Sequence, residues 1–241
     1  MLLLAYRSGI FPMADAREDQ EIFWVEPRRR AVLPLDGFHC SHSLAKELRR
    51  GTFNVTCNQA FAQVIAACAA PRRETGETWI SGRITASYTE LHALGQAHSI
   101  ECWQQGELVG GLYGVGFDRV FCGESMFSRA ADASKVALAW LVAALRMAGA
   151  QLLDCQFLTD HLASLGAVEI SQKQYLELLR VAQTPGEGDA AGLGLGGGEA
   201  EGLGAGATLP DGFAALLAAA AGAGLSSSPG NFIAQSLTQT S

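Results

Sequence analysis

The run from His98 to Cys155 most restricts what this chain can fold into. His98-Ser99-Ile100-Glu101-Cys102-Trp103-Gln104 alternates at period two, the pattern of a strand with one buried face. Gln105-Gly106-Glu107 makes a turn, Leu108 opens the returning strand, and Asp118-Arg119 separates it from Val120-Phe121-Cys122. These segments read as an antiparallel meander. Residues 132–148 follow as an apolar helix carrying Val136, Leu138, Trp140, Leu141 and Leu145, and residues 151–155 return as a strand. The order predicts an α+β fold with a mixed, mostly antiparallel sheet.

Two polar interruptions lie inside this apolar material. Phe121-Cys122-Gly123-Glu124-Ser125-Met126-Phe127-Ser128-Arg129 places a carboxylate between glycine and serine. Leu152-Leu153-Asp154-Cys155-Gln156-Phe157 carries a second carboxylate and a glutamine two residues on, which in a strand share one face. A buried carboxylate is costly unless it is hydrogen-bonded or used. The two segments therefore predict a cleft at strand ends where Glu124, Asp154 and Gln156 meet. There a carboxylate can hold the glutamine amide in one orientation, and the amide can order a nucleophile. The plain alternative is that these groups satisfy buried backbone or anchor a bulged strand.

The chain has 241 residues and is 49% hydrophobic, enough for one large or two small domains. Seventeen Lys and Arg against 24 Asp and Glu give a formal charge of -7, which argues against a general nucleic-acid binder. The charge is uneven, however: residues 1–83 hold 11 of the 17 bases, and none follows Arg180. The six cysteines form no CxxC pair and no zinc framework, so they read as free thiols and no metal site is expected. With no leader-like segment and no apolar run long enough to span a bilayer, a monomer in a reducing cytoplasm is the expectation.

Elsewhere the signals are shorter. Residues 1–36 are rich in turns and aromatics. Ser41 or Ser43 caps a helix to about Arg50, residues 53–57 alternate like a strand, and helices are expected over 59–69 and 87–94. Thr159 caps a short helix reaching Leu165, and Ser171 with Gln174 forms a capping-box pattern. Residues 186–241 hold 14 of the 28 glycines, a composition that buries little surface per ordered residue and predicts mobility, apart from a short helix over 213–221.

Several longer stretches carry a family likeness. They are Tyr6-Arg7-Ser8-Gly9-Ile10-Phe11-Pro12-Met13, Phe23-Trp24, Thr78-Trp79-Ile80, His98-Ser99-Ile100-Glu101 and Leu108-Val109-Gly110-Gly111-Leu112-Tyr113-Gly114-Val115. The Glu124 segment, Ala133-Ser134-Lys135, Asp154-Cys155-Gln156, Asp160-His161 and Ala163-Ser164-Leu165-Gly166-Ala167 continue it. In order and spacing the chain resembles the leucyl/phenylalanyl-tRNA–protein transferase family over residues 4–179. The resemblance implies transfer of Leu or Phe, and less efficiently Met, from aminoacyl-tRNA to proteins with N-terminal Arg or Lys, which marks them for the bacterial N-end rule pathway. It implies a small N-terminal domain over 1–60, a GNAT-like acyltransferase domain over 61–184, a Gly/Ala-rich segment over 185–241, and no cofactor.

The same resemblance suggests roles. Asp154, Gln156 and Glu124 become the catalytic candidates, with a proton relay from Gln156 to Asp154 as one family-derived route and Glu124 in the aminoacyl-adenosine site, bound to the donor's amino group or to the terminal adenosine. Trp24 and Trp79 become walls of the adenosine and acceptor regions. Leu112, Phe121, Met126, Leu141 and Leu153 match positions near the donor side-chain pocket. The basic residues of the front include the contiguous triplet Arg28-Arg29-Arg30, then Lys46, Arg49 and Arg50, and Arg72, Arg73 and Arg83. Of these, Lys46, Arg49 and Arg50 become the contacts to the tRNA acceptor stem, although a basic run is ordinarily a solvated face. Glu101 and Asp160 are candidates for an acidic acceptor site. His98 reads as structural, and neither histidine of the likeness, His98 or His161, has a nucleophile beside it. Two alternatives stay open: an N-acyltransferase using a small thioester, and a non-catalytic RNA-binding adaptor.

Overall fold

The computed structural model describes residues 1–19, 21–71, 78–184 and 208–238. Arg72 and Arg73 of the basic set, and tail residues 185–207 and 239–241, lie outside the described residues.

The predicted meander is present as β5 (Ala97–Gln104), β6 (Glu107–Phe117) and β7 (Val120–Ser128), consecutive antiparallel neighbours. The apolar helix α5 (Ala133–Met147) carries the chain from β7 to β8 (Leu152–Gln156), which runs parallel to β7. A parallel neighbour needs such a crossover, because a tight turn can only reverse direction. Two short strands from the front of the chain complete the sheet. These are β3 (Arg29–Val32), between β8 and β9 (Val168–Ser171), and β4 (Asn54–Cys57), on the edge beside β5. The strand order is β4-β5-β6-β7-β8-β3-β9, antiparallel except at β7–β8. This is the mixed, mostly antiparallel, GNAT-like sheet expected from the sequence. A separate two-stranded sheet pairs β1 (Phe11–Met13) with β2 (Phe23–Val25).

Both faces of the large sheet are covered, and alternation along its strands divides the core accordingly. Phe121 and Leu153 face α5, together with α2 (His42–Arg50). Val120, Cys122 and Leu152 face the opposite layer, with α3 (Phe61–Cys68), α4 (Gly82–Ala93) and, after the short α6 (Asp160–Ser164), α7 (Gln172–Gln183). The caps read from sequence are in place. Ser41, Thr159 and Ser171 accept from the helices they precede, and the Ser171–Gln174 box closes reciprocally. Helix α4 begins earlier than expected because Ser81 caps it ahead of Gly82.

The front of the chain differs from its sequence reading. Alternation in β3 sends Arg29 outward to Glu169 at 2.8 Å and Arg30 into the core, where it is 1% exposed, so the triplet is not a uniformly solvated face. The Gly/Ala-rich tail contains the helix expected over 213–221, in a longer form, and buries more than its composition suggested. Its described part forms α8 (Leu209–Gly222) and α9 (Pro229–Thr238), both packed into the main core. Small residues are what allow this. A Cβ at Gly212 would stand 2.2 Å from the Ala144 carbonyl oxygen, and one at Gly230 would stand 2.1 Å from that of Leu48. Glycine therefore brings α8 onto α5 and α9 onto α2 at backbone contact, and the Phe213 ring reaches Trp140 at 5.4 Å. Among the described residues, no helix is long and apolar enough to cross a membrane.

Candidate active site

The site forms where β7 and β8 part. Their parallel register runs from Val120–Leu152 to Cys122–Asp154. On its other side β7 pairs Gly123 with Gly114 and Ser125 with Tyr113, which leaves Glu124 as the extra residue of a β-bulge. Bulges re-aim a side chain, and this one needs Gly114 opposite it: a Cβ there would meet the Cys122 carbonyl oxygen at 2.3 Å. Across the gap, Gln156 ends β8 with φ of 62°, the left-handed region. For a residue with a Cβ that conformation costs roughly 1–3 kcal/mol and persists only where its surroundings hold it.

Two carboxylates hold Gln156. Asp154 Oδ1 accepts from the Gln156 backbone N–H at 2.8 Å, and Glu124 Oε1 accepts from Gln156 Nε2 at 2.8 Å. Tyr88 donates to Glu124 Oε2 at 2.8 Å, and the Tyr6 and Tyr88 hydroxyls are hydrogen-bonded to each other. The sequence reading had Asp154 orienting the glutamine amide. The structure gives that position to Glu124, because the left-handed turn at Gln156 swings its side chain toward β7 and leaves Asp154 the backbone.

Asp154 is otherwise closed off. It is 0% exposed and grips Arg30 through both oxygens, with Nε at 2.9 Å from Oδ1 and Nη2 at 2.5 Å from Oδ2. Tyr175 donates to Oδ2 at 2.9 Å, and Arg30 lies between the rings of Phe11 and Tyr175. Burial alone would lower the Arg30 pKa, but Asp154 more than offsets that and holds the guanidinium above its ordinary range. Glu124 is in the opposite situation. Burial pushes its pKa up to about 7, although the hydrogen bonds from its tyrosine and glutamine neighbours pull it down. Glu124 is therefore placed to exchange a proton near neutrality.

A cavity of about 440 Å³ opens onto Glu124 and Gln156. Leu112, Met126, Leu138, Leu141 and Leu153 form an apolar end toward α5. Trp79, Met13 and Phe157 stand at its other walls. A chamber with one apolar end and a few polar groups is the usual form of a small-ligand site.

The sequence profile of the leucyl/phenylalanyl-tRNA protein transferase family matches residues 32–180, and that of its N-terminal domain matches residues 1–28. The chain belongs to this family. It is 66% identical to the leucyl/phenylalanyl-tRNA–protein transferase of Novosphingobium aromaticivorans, over 100% of this chain and 95% of that one. It is 56% identical to that of Rhizorhabdus wittichii, over 82% of this chain and 78% of that one. The Zymomonas mobilis relative is also 56% identical, over 76% of this chain and 68% of that one.

The residues singled out from this transferase's sequence fall into distinct places. Glu124, Gln156, Trp79, Leu112, Met126, Leu141 and Leu153 all line the cavity. Asp154 stands behind it. Phe121 is buried beneath, its ring filling the space that a Cβ on Gly114 would need. Trp24 is 42% exposed on the small sheet, whose Met13 is the part that reaches the cavity. Lys46, Arg49 and Arg50 are exposed on α2, whose Leu44, Ala45 and Leu48 face the core. Glu101 is not available as an acceptor-binding group. Fully buried, it accepts from Ser99 and Thr56 and from the backbone N–H of Gln59 and Ala60, securing the turn into α3. Asp160 is exposed in the first turn of α6. His98 is buried, bonded through Nδ1 to the Asn58 amide, and burial lowers its pKa to about 4.

Sequence reasoning missed Tyr6, Tyr88 and Arg30. Alternation across Arg29-Arg30-Ala31-Val32 was the available signal for Arg30. The two tyrosines carry no local signal, because their contacts to Glu124 join segments far apart in the chain.

Proposed function

We propose that the cavity binds the aminoacylated terminal adenosine of Leu-tRNA or Phe-tRNA and passes the aminoacyl group to the α-amine of a protein beginning with Arg or Lys. The observation that carries this reading is an apolar chamber ending on the Glu124–Gln156 pair. A leucine or phenylalanine side chain buries its apolar surface against Leu112, Met126, Leu141 and Leu153, and a charged one is excluded by desolvation. Close packing is what disfavours the extra branch of Ile or Val, because apolar contacts discriminate weakly.

The reaction is aminolysis of an ester. The acceptor nitrogen forms a bond to the donor carbonyl carbon, the bond from that carbon to the ribose oxygen breaks, and a proton passes from nitrogen to the departing oxygen. An α-ammonium has a reference pKa of about 7.7–8.0. A carboxylate titrating near 7 is well matched to receive its proton. We assign that role to Glu124, with Gln156 ordering the amine. Asp154, already saturated by Arg30 and Tyr175, acts by fixing the Gln156 backbone and is a positioning residue. Trp79 contributes an aromatic wall for the adenosine or the acceptor. The exposed bases of α2 contact acceptor-stem phosphates without reading sequence.

The test supplies charged Leu-tRNA and a peptide beginning with Arg. A new Leu–Arg amide bond is expected, with none when the peptide amine is acetylated. Transfer from an acyl-CoA but not from tRNA would overturn the proposal.

A further inference from the structure

Buried polar side-chain atoms nearly always have partners. Among the described residues, three lack both a hydrogen bond and an ion pair: the Tyr113 hydroxyl, Ser125 Oγ and His161 Nε2. All three residues line the cavity. Among the described residues, the buried side-chain N and O atoms without a protein partner thus all lie around one chamber, where what enters can complete them.

Tyr113 and Ser125 belong together. They are direct partners across β6 and β7, and they flank the bulge that carries Glu124. Tyr113 is fully buried, its ring held edge-on by Phe61 at 5.9 Å and Tyr88 at 5.3 Å. Burial, then the charge of Glu124, raises its pKa well above the ordinary value, so the phenol stays neutral, and its oxygen both donates one hydrogen bond and accepts others. The hydrogen-bond partners of Glu124, Tyr88 and Gln156, are themselves neutral. His161 stands apart on α6, where burial and then Lys135 lower its pKa, and it is not part of this set.

Two unpaired hydroxyls beside a carboxylate with neutral partners form an acceptor-rich, cation-free seat. The group that completes it has several N–H donors and a positive charge. We infer that Tyr113 and Ser125 join Glu124, for which the family likeness already suggests an amino-group contact, in seating a primary ammonium group of a substrate. The inference rests on the proposed function, in which two substrates carry such a group: the donor's aminoacyl moiety and the acceptor's N-terminus.

The variants Tyr113→Phe and Ser125→Ala remove one hydroxyl each and little else. Thermal melting of the free proteins is expected at or above the wild-type temperature, because no internal hydrogen bond is lost. The binding probes are a non-hydrolysable phenylalanyl-adenosine amide and its analogue lacking the α-amine, and KM is measured for an Arg-initiated peptide. About tenfold weaker binding of the amine-bearing amide, with the des-amino analogue unaffected, puts the donor's ammonium in the seat. Unchanged amide binding with a roughly tenfold higher peptide KM puts the acceptor's there. Wild-type behaviour of both variants toward both ligands overturns the inference alone, as does a clear fall in melting temperature, which would show the hydroxyls partnered in the free protein. A wild-type protein that binds neither amine-bearing ligand overturns the functional reading and takes the inference with it.

Discussion

At the scale of single residues, the site separates two carboxylates by their partners. Glu124 meets neutral donors and titrates near 7, so kcat/KM should rise with pH through about 7 as it ionises. Glu124→Gln should lose that limb of the profile and about a hundredfold or more in rate. A pH–rate profile parallel to wild type would remove Glu124 from proton transfer. The stability consequence has a definite sign. The folded pKa is raised from 4.5 to about 7, so the contribution is complete below the unfolded value and is lost as pH rises through 7. Urea unfolding should therefore show Glu124→Gln gaining on wild type above neutrality, by something on the order of 3 kcal/mol at most. Asp154 predicts the reverse emphasis. Removing one member of a buried ion pair costs about 3–5 kcal/mol, so Arg30→Met should act first on stability, read from denaturant midpoints. A fully stable Asp154→Asn that loses the pH–rate limb near 7 while Glu124→Gln keeps it would instead return Asp154 to the chemistry. Glu124, Asp154 and Gln156 were legible in the sequence because each interrupts an apolar run. Arg30 was hidden in a basic triplet, and Tyr88 in the stripe of a helix, because pairing between distant segments leaves no local period.

At the scale of elements, legibility followed length and punctuation. The three meander strands and α5 are long and periodic, and the Ser171–Gln174 box marks the start of α7. The strands β3 and β9 have four residues each and belong to a sheet edge assembled from opposite ends of the matched region. In the tail the helix over 213–221 was legible but its packing was not, because glycine and alanine suggest poor burial, whereas here their smallness sets how closely helices approach. The two glycines of α8 test this. Gly212→Ala must push a methyl into the Ala144 carbonyl and should cost about 1–3 kcal/mol in denaturant unfolding. Gly222→Ala meets nothing within 4 Å and should be neutral or stabilising by up to about 1 kcal/mol. Equal effects from both would mean that α8 does not sit on α5 at backbone contact.

At the scale of the whole molecule, charge and layering matter more than any one contact. A protein of net charge -7 can hold a polyanion only if its bases are gathered, and α2 presents Lys46, Arg49 and Arg50 together at the surface. Reversing these three charges should weaken tRNA binding and flatten its salt dependence by roughly one unit of slope per lost phosphate contact. Transfer from a minimal aminoacyl-adenosine should be unaffected, and comparable damage to both donors would place the bases elsewhere. The helix α5 joins two regions that share no ligand. Leu138 and Leu141 form part of the chamber, while Trp140 and Ala144 of the same helix carry α8, beyond the end of the family profile at residue 180. A single helix, about 10 Å across, is all that lies between the C-terminal layer and the apolar end of the chamber. A substitution in that layer can thus shift α5 and reshape the chamber while every residue that lines it stays the same.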